Sequence, residues 1–279
     1  MSSLSPLGIL AGGGTLPGRL AQAALATGRP VLVVAFEGHS DPAVIAPFPH
    51  VWRRLGQAAA ILDALHAAAV QEVVFAGPVR RPSLRELRPD WKGMALLTRL
   101  GMNVLGDDGL LRAVAAVLEE EGFRVVGIPA ILADLLMPAG PLGTILPDEI
   151  AWRDIRHGVI LARTLGRLDV GQAVVVQDGL VLGLEAIEGT DALLARCAGL
   201  RRPGPGGVLV KMKKPQQDDR LDLPTAGLQT VEAAAAAGLR GLALEAGGTL
   251  LLEREAVETR AAALGLFVVG VAAQSEAQS

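Results

Sequence analysis

Short runs rich in valine and leucine alternate along this chain with longer stretches in which apolar side chains recur every three or four positions. Leu7–Ala11, Val31–Phe36, Glu72–Ala76 and Phe123–Ile128 are runs of the first kind; residues 17–27, 57–69 and 107–121 are stretches of the second. Continuous apolar runs predict strands buried on both faces, and the recurrence at 3.6 residues predicts the helices that cover them. Strand–helix alternation of this kind implies a parallel sheet whose ligands sit at the carboxyl ends of the strands.

The alternation stops between 133 and 147, where Pro138, Gly140, Pro141, Gly143 and Pro147 punctuate a connector. Asp148 beyond it is placed to cap a long helix running to Arg163. Ala173–Gln177 and Leu180–Glu185 flank Asp178-Gly179, a hairpin signal, since both turn positions need positive φ. Helices are expected at 191–198, 230–237 and 255–264, and strands at 208–211, 242–245, 249–252 and 267–271. The reading is an α/β protein: a Rossmann-like parallel-sheet N-terminal domain (1–132), a linker (133–147) and a mixed α/β C-terminal catalytic domain (148–279).

Composition narrows the function. With 279 residues the chain is long enough for roughly two domains. Its 51% hydrophobic content supports sizeable cores, and a formal net charge of −3 gives no electrostatic case for nucleic acid. The single cysteine, Cys197, forms no internal disulfide and suits a reducing, cytoplasmic setting. Gly12, Gly13, Gly14 and Pro17 interrupt the N-terminal apolar run, which argues against an export signal. No stretch has the roughly 20 apolar residues of a membrane-spanning helix.

Charge is densest between Lys211 and Gly227: Lys211, Lys213, Lys214, Asp218, Asp219, Arg220 and Asp222 lie here, with Pro215 and Pro224 opposing a continuous helix. Read as extended chain, the segment puts Asp218, Arg220 and Asp222 on one face and Leu221 and Leu223 on the other. Two acids around a guanidinium suit a hard cation and a phosphate held together. Mg²⁺ takes one or two carboxylates plus water and substrate phosphate, so Asp218 and Asp222 are the expected metal ligands. Lys214 and Arg220 are expected to balance the phosphate charge.

Four further places are candidates. Gly12-Gly13-Gly14 follows a strand and opens a helix, as phosphate-binding loops do. With Glu37 it also leaves open an NAD(P)-dependent oxidoreductase. Gly77 to Arg81 follows another parallel strand, so Arg80 or Arg81 is placed to meet a phosphate. Glu188-Gly189-Thr190-Asp191 joins a strand to a helix, with Thr190 or Asp191 as its cap, and Asp107-Asp108 is placed to cap another. A Nudix-like box over 101–122 fails, because Ala115-Ala116 stands where its Arg-Glu pair belongs. His39, His50, His66 and His157 show no zinc spacing.

Together, Gly8 to Pro17, Gly106-Asp107-Asp108, Glu188 to Asp191 and Lys214 to Thr225 resemble the LpxI family, UDP-2,3-diacylglucosamine pyrophosphatases of lipid A biosynthesis. The resemblance implies substrate held between two domains and Mg²⁺-dependent hydrolysis to UMP and 2,3-diacylglucosamine 1-phosphate. The essential aspartate of the family's Arg-x-Asp-Leu/Val-Pro motif is matched by Asp222. Catalysis is thus expected from Asp222, Asp218, Arg220 and Lys214. Substrate contacts are expected from Gly12, Gly13, Gly14, Gly77, Arg81, Gly189, Thr190, Asp191 and Gln217. Two positions depart from the family: Ala226 replaces a larger aliphatic residue and Pro78 a polar one. The expected partners are a lipid-linked nucleotide sugar, no nucleic acid, the inner-membrane surface in transient contact (aided by Arg80–Arg88), and a second copy in a homodimer. A non-catalytic nucleotide-sugar or lipid-binding protein is the third reading.

Overall fold

The computed structural model describes residues 4–80, 89–100 and 107–272. They fall into two compact units: residues 1–133 with 218–222, and residues 134–217 with 223–279. Each unit has its own sheet.

In the first unit, β1 (Leu7–Ala11), β2 (Val31–Phe36), β3 (His50–Arg53), β4 (Glu72–Ala76) and β5 (Arg124–Val125) form a parallel five-stranded sheet. Its order, β3-β2-β1-β4-β5, reverses between β1 and β4, which makes the carboxyl ends of those two strands the switch point. Helices α1 (Leu16–Ala26), α2 (Pro42–Ile45), α3 (Ala58–Ala67), α4 (Trp91–Leu100) and α5 (Asp107–Glu120) connect the strands. Leu10, Val34, Ile61, Leu65, Val73, Leu118 and Phe123 pack into one core, and Leu221 joins it from far along the sequence.

β5 is shorter than its apolar run, because Gly127 and Pro129 turn the chain into a 3₁₀ helix at Ile128–Ala130. The short α2, the edge strand β3 with its half-exposed residues, and α4 were not expected.

The second unit holds a six-stranded mixed sheet in the order β6-β13-β11-β9-β7-β8. The strands are β6 (Gly140–Leu142), β7 (Ala173–Gln177), β8 (Leu180–Leu184), β9 (Val208–Lys211), β11 (Gly241–Glu245) and β13 (Phe267–Val271). A two-stranded sheet pairs β10 (Thr225–Ala226) with β12 (Leu250–Leu251). Part of the connector is therefore built into the fold: β6 pairs antiparallel with β13.

Helices α6 (Glu149–Arg167), α7 (Gly189–Cys197), α8 (Leu228–Ala236) and α9 (Arg254–Ala263) flank the sheet. Asp148 caps α6, its carboxylate accepting from Ala151 N at 2.8 Å. One turn into that helix Asp154, 1% exposed, accepts from Asp178 N at 2.9 Å and Gly179 N at 2.7 Å. Asp178 and Gly179 both have positive φ (52° and 76°), as the β7–β8 turn requires. Among the described residues no helix is long and apolar enough to cross a membrane.

Candidate functional site

The charged segment enters from β9 and is tied down at successive points. Lys213 N donates to the buried Glu245 carboxylate at 2.9 Å, and Lys214 Nζ donates to Asp169 Oδ1 at 2.7 Å. Gln216 Nε2 reaches the Gly166 carbonyl at 2.6 Å. Gln217 is buried, and its side-chain oxygen accepts from Lys214 N at 3.3 Å. Lys214 thus lies against a carboxylate, and Gln217 braces the loop that carries it.

Residues 218–222 are a single turn, not the extended stretch expected. Asp218 O accepts from Leu221 N at 2.9 Å and from Asp222 N at 3.2 Å. The reason is local: the Asp218 carboxylate also accepts from Arg220 N at 3.0 Å, closing the side-chain-capped turn to which aspartate is prone. The alternation predicted for a strand therefore fails. Asp218 and Asp222 are related instead by one helical turn, which also keeps positions four apart on one side. Leu221 is 7% exposed, Leu223 5%, and Asp222 between them is exposed. Burying a leucine contributes about 2 kcal/mol, so the leucines hold the turn in place. No side chain fits at Gly127, where a Cβ would come within 2.9 Å of Asp219 O, so the turn rests directly on that backbone.

Arg220 folds back on its own turn. Its Nη2 donates to Asp218 Oδ2 at 2.7 Å and its Nε to Oδ1 at 3.1 Å, while Nη1 donates to Glu119 Oε1 at 2.7 Å. The Arg220 hydrogen bond, ahead of the opposing cost of burial, holds the Asp218 carboxyl below the usual carboxylate range. The same contact with Asp218, then that with Glu119, pushes the guanidinium further above its ordinary value. Sequence reasoning missed Glu119 as a partner, because the two residues lie 101 positions apart.

These contacts decide how a hard cation fits. Asp218 already receives a two-pronged guanidinium, so it joins a metal only by releasing Arg220. Asp222 lies one turn on and is exposed. Among the described residues no three of His, Cys, Asp or Glu gather as ligands. That donor set suits a magnesium ion held by one carboxylate and completed by substrate oxygens.

At the switch point of the first sheet, the glycine loop after β1 is stitched to the loop after β4. Gly12 N donates to Ala76 O at 2.7 Å and Gly13 N to Pro78 O at 2.9 Å. These two amides, expected to face a phosphate, are spent on the protein. The donors of the α1 N-terminus begin at Gly14 and Thr15, both exposed. A Cβ at Gly12 would lie 2.5 Å from the carbonyls of Gly77 and Pro78, and one at Gly77 (φ +84°) 2.1 Å from Gly13 O. Only glycine allows this approach. Ser40, buried and unforeseen, staples the loop from β2: its Oγ donates to Ala11 O at 2.6 Å and accepts from Phe36 N at 2.8 Å. Glu37 at the end of β2 is exposed, as is Arg80; Arg81 lies outside the described residues, as does most of 80–88.

Neither Thr190 nor Asp191 caps α7. The helix starts earlier, at Gly189 (φ +80°), and Thr190 Oγ1 donates to the buried Glu185 carboxylate at 2.6 Å. Asp191 is exposed in the first turn. Asp107 and Asp108 likewise lie within α5 and do not precede it.

The chain is thus a two-unit α/β protein with a glycine loop at the switch point of one sheet and a carboxylate turn inserted from the other half. A family model described as the LpxI N-terminal domain matches residues 6–135, and one described as the LpxI C-terminal domain matches 138–269. The protein named UDP-2,3-diacylglucosamine pyrophosphatase LpxI from Caulobacter vibrioides is 43% identical over 272 residues, covering 95% of this chain and 97% of that one. The chain belongs to the LpxI family. Among solved structures, CobK precorrin-6A reductase aligns over 99% of this chain and 91% of its own, at 13% identity and a TM-score of 0.36. The Bordetella bronchiseptica enzyme WbmG in complex with NAD aligns over 44% and 36%, at 19% identity and a TM-score of 0.30. Both likenesses are too distant to bear on function.

Proposed function

We propose that this chain hydrolyses the pyrophosphate bond of UDP-2,3-diacylglucosamine, giving UMP and 2,3-diacylglucosamine 1-phosphate for lipid A biosynthesis. The supporting observation is the full-length kinship with a pyrophosphatase of that name, together with an exposed Asp222 fixed between two buried leucines. Asp222 orients the attacking water and accepts its proton. Its backbone is closed into the turn, so little reorientation is needed when substrate arrives. Mg²⁺ would be held by Asp222 and the anhydride oxygens, and when bound would neutralise phosphate charge and polarise the water. The α1 amides at Gly14 and Thr15 offer partial positive charge to a phosphate. Arg220 keeps the turn in register through Asp218 and Glu119, and on meeting a phosphate it exchanges one carboxylate for another anion. The acylated substrate brings the protein to the inner-membrane surface transiently.

The test is UMP release from the diacylated nucleotide sugar with and without EDTA. Release that stops with chelator and returns with Mg²⁺ is expected. Asp222→Asn should remove turnover, while Asp219→Asn, at the exposed apex of the same turn, should stay within about threefold of wild type. A robust rate in Asp222→Asn refutes the assignment. In ¹⁸O-labelled water the label is expected in the sugar phosphate; label in UMP would move the attack to the other phosphorus.

A further inference from the structure

Every nitrogen of a guanidinium is a donor, and a buried donor without an acceptor is a cost that a native fold has to justify. Arg19, in α1, carries one: its Nη1 is buried and has no hydrogen-bond partner among the described residues. The half-buried Arg29 and Arg53 of the same unit do find partners. Arg29 donates to Glu72 Oε2 at 2.6 Å and to Ser5 O at 2.9 Å, and Arg53 to Trp52 O at 2.8 Å. Stability gives no reason for an arginine at position 19, since methionine would keep the apolar stem and leave no donor unpaired.

Position gives one. Helix α1 begins at the switch point of the first sheet, and Arg19 N closes its first turn on Thr15 O at 3.2 Å. Arg19 therefore stands one turn in, about 6 Å along the axis from the helix start. Long side chains on a helix lean back toward its N-terminus, and an arginine stem spans that distance. Around the helix, Gly18 faces α2, where a Cβ would come 2.8 Å from Val44 Cγ1. Leu16, Pro17, Leu20, Ala21 and Ala24 form the buried face. Arg19, about 100° round from Gly18, lies on the flank away from α2 and so toward β4, the other strand of the switch point. The amides of Gly12 and Gly13 are spent there on Ala76 O and Pro78 O. A phosphate at this end of the sheet meets fewer main-chain donors than a glycine loop ordinarily offers, and a guanidinium fork makes up the number.

We propose that Arg19 is a phosphate-binding residue at the switch point, its buried Nη1 reserved for a phosphate oxygen of the substrate. The source of that phosphate rests on the pyrophosphatase reading above; the donor itself calls for an anion.

The test compares R19M, R19K and wild type by titration with UDP and with inorganic pyrophosphate, by thermal unfolding, and by the kinetics of UMP release. R19M should weaken both ligands by about 30-fold, the scale of a charged hydrogen bond, and equally, because the phosphate is what Arg19 meets. R19K, which keeps the charge and loses the planar fork, should weaken both by about tenfold. Without ligand, R19M should unfold at or above the wild-type temperature, since it removes an unpaired buried donor. Pyrophosphate should then raise the unfolding temperature of wild type and leave R19M unmoved. An arginine kept for packing, or satisfied by an internal water, behaves the other way: R19M would unfold earlier and bind as wild type does. Binding of either ligand by R19M within about threefold of wild type overturns the proposal, and so does a wild type that binds neither. Should R19M fail to fold, the R19K titrations decide by the same threshold. In turnover, kcat/KM should fall by the same factor as binding. If the wild type releases no UMP, the pyrophosphatase reading fails, and the two titrations decide the role of Arg19 alone.

Discussion

Replacing Gly77 with alanine tests whether the two loops at the switch point form one rigid cradle. The new Cβ would stand 2.1 Å from Gly13 O and 3.3 Å from Gly12 C, all backbone, so it cannot be relieved by a side-chain rotation. Gly77 has φ +84°, and an L residue held there costs about 1 kcal/mol. Moving the loops apart loses the Gly12 N to Ala76 O and Gly13 N to Pro78 O hydrogen bonds, each worth about 1 kcal/mol net. Gly77→Ala should therefore destabilise the first unit by about 3 kcal/mol. Gly14→Ala is the control: its φ is +75°, but a Cβ there meets nothing within 4 Å, so strain alone, about 1 kcal/mol, is expected. Two units do not unfold as one two-state system, so the probe must be local. Trp52 and Trp91 lie in the first unit and Trp152 in the second, so urea unfolding in a Trp152→Phe background follows the first unit by tryptophan fluorescence. Equal destabilisation by Gly77→Ala and Gly14→Ala would refute the stitched cradle.

Two further outcomes follow from the same contacts. Asp154→Ala strips the β7–β8 turn of a buried carboxylate that satisfies two amides, and should cost the second unit about 3 kcal/mol, read by Trp152 fluorescence in a Trp52→Phe, Trp91→Phe background; a cost under about 1 kcal/mol would mean the amides find other partners. The Asp218 carboxyl is held below the ordinary aspartate range chiefly by Arg220, so its contribution is present above that range and lost as pH falls through the folded-state value. Protection of the 219–222 amides, corrected for intrinsic exchange, should hold from pH 7 to about pH 4 and fall below that; a fall already complete at pH 5 would contradict the pairing.

Where a strand was a run of apolar residues, its bounds were legible to the residue: β1, β2, β4, β9 and β13 run as read, because burial on both faces leaves no polar position to blur the ends. β3 escaped notice for the opposite reason: His-Val-Trp-Arg is an edge strand whose stability comes from pairing with β2. β6 hid in a stretch of Gly and Pro because an edge position tolerates Pro141. In the site, the identity of the acids and the burial of Leu221 and Leu223 could be read, but the backbone could not. The missed signal was Asp218 itself, placed to cap a turn two residues on. Ser40 and Glu119 were beyond reach for another reason. Each acts on a main chain or side chain distant in sequence, and nothing local to a serine or to a glutamate at a helix end names its partner.

The turn resolves a tension in the sequence, which crowds opposite charges into a segment of an otherwise apolar chain. Lys214 meets Asp169, Arg220 meets Asp218 and Glu119, and Lys211 takes a carbonyl, so most of the charge serves to fix geometry. Such exposed pairs stabilise little, and the segment would gain more from apolar residues if stability were its purpose. Asp222 is set by its packing: it has a buried leucine on each side, Leu221 in the core of the first unit and Leu223 at 5% exposed, and is itself exposed. A side chain held at the backbone by packing and presented outward is what an acid acting on a bound anion requires. The same reasoning separates it from Asp219, equally exposed but at the apex of the turn, where neither neighbour is buried.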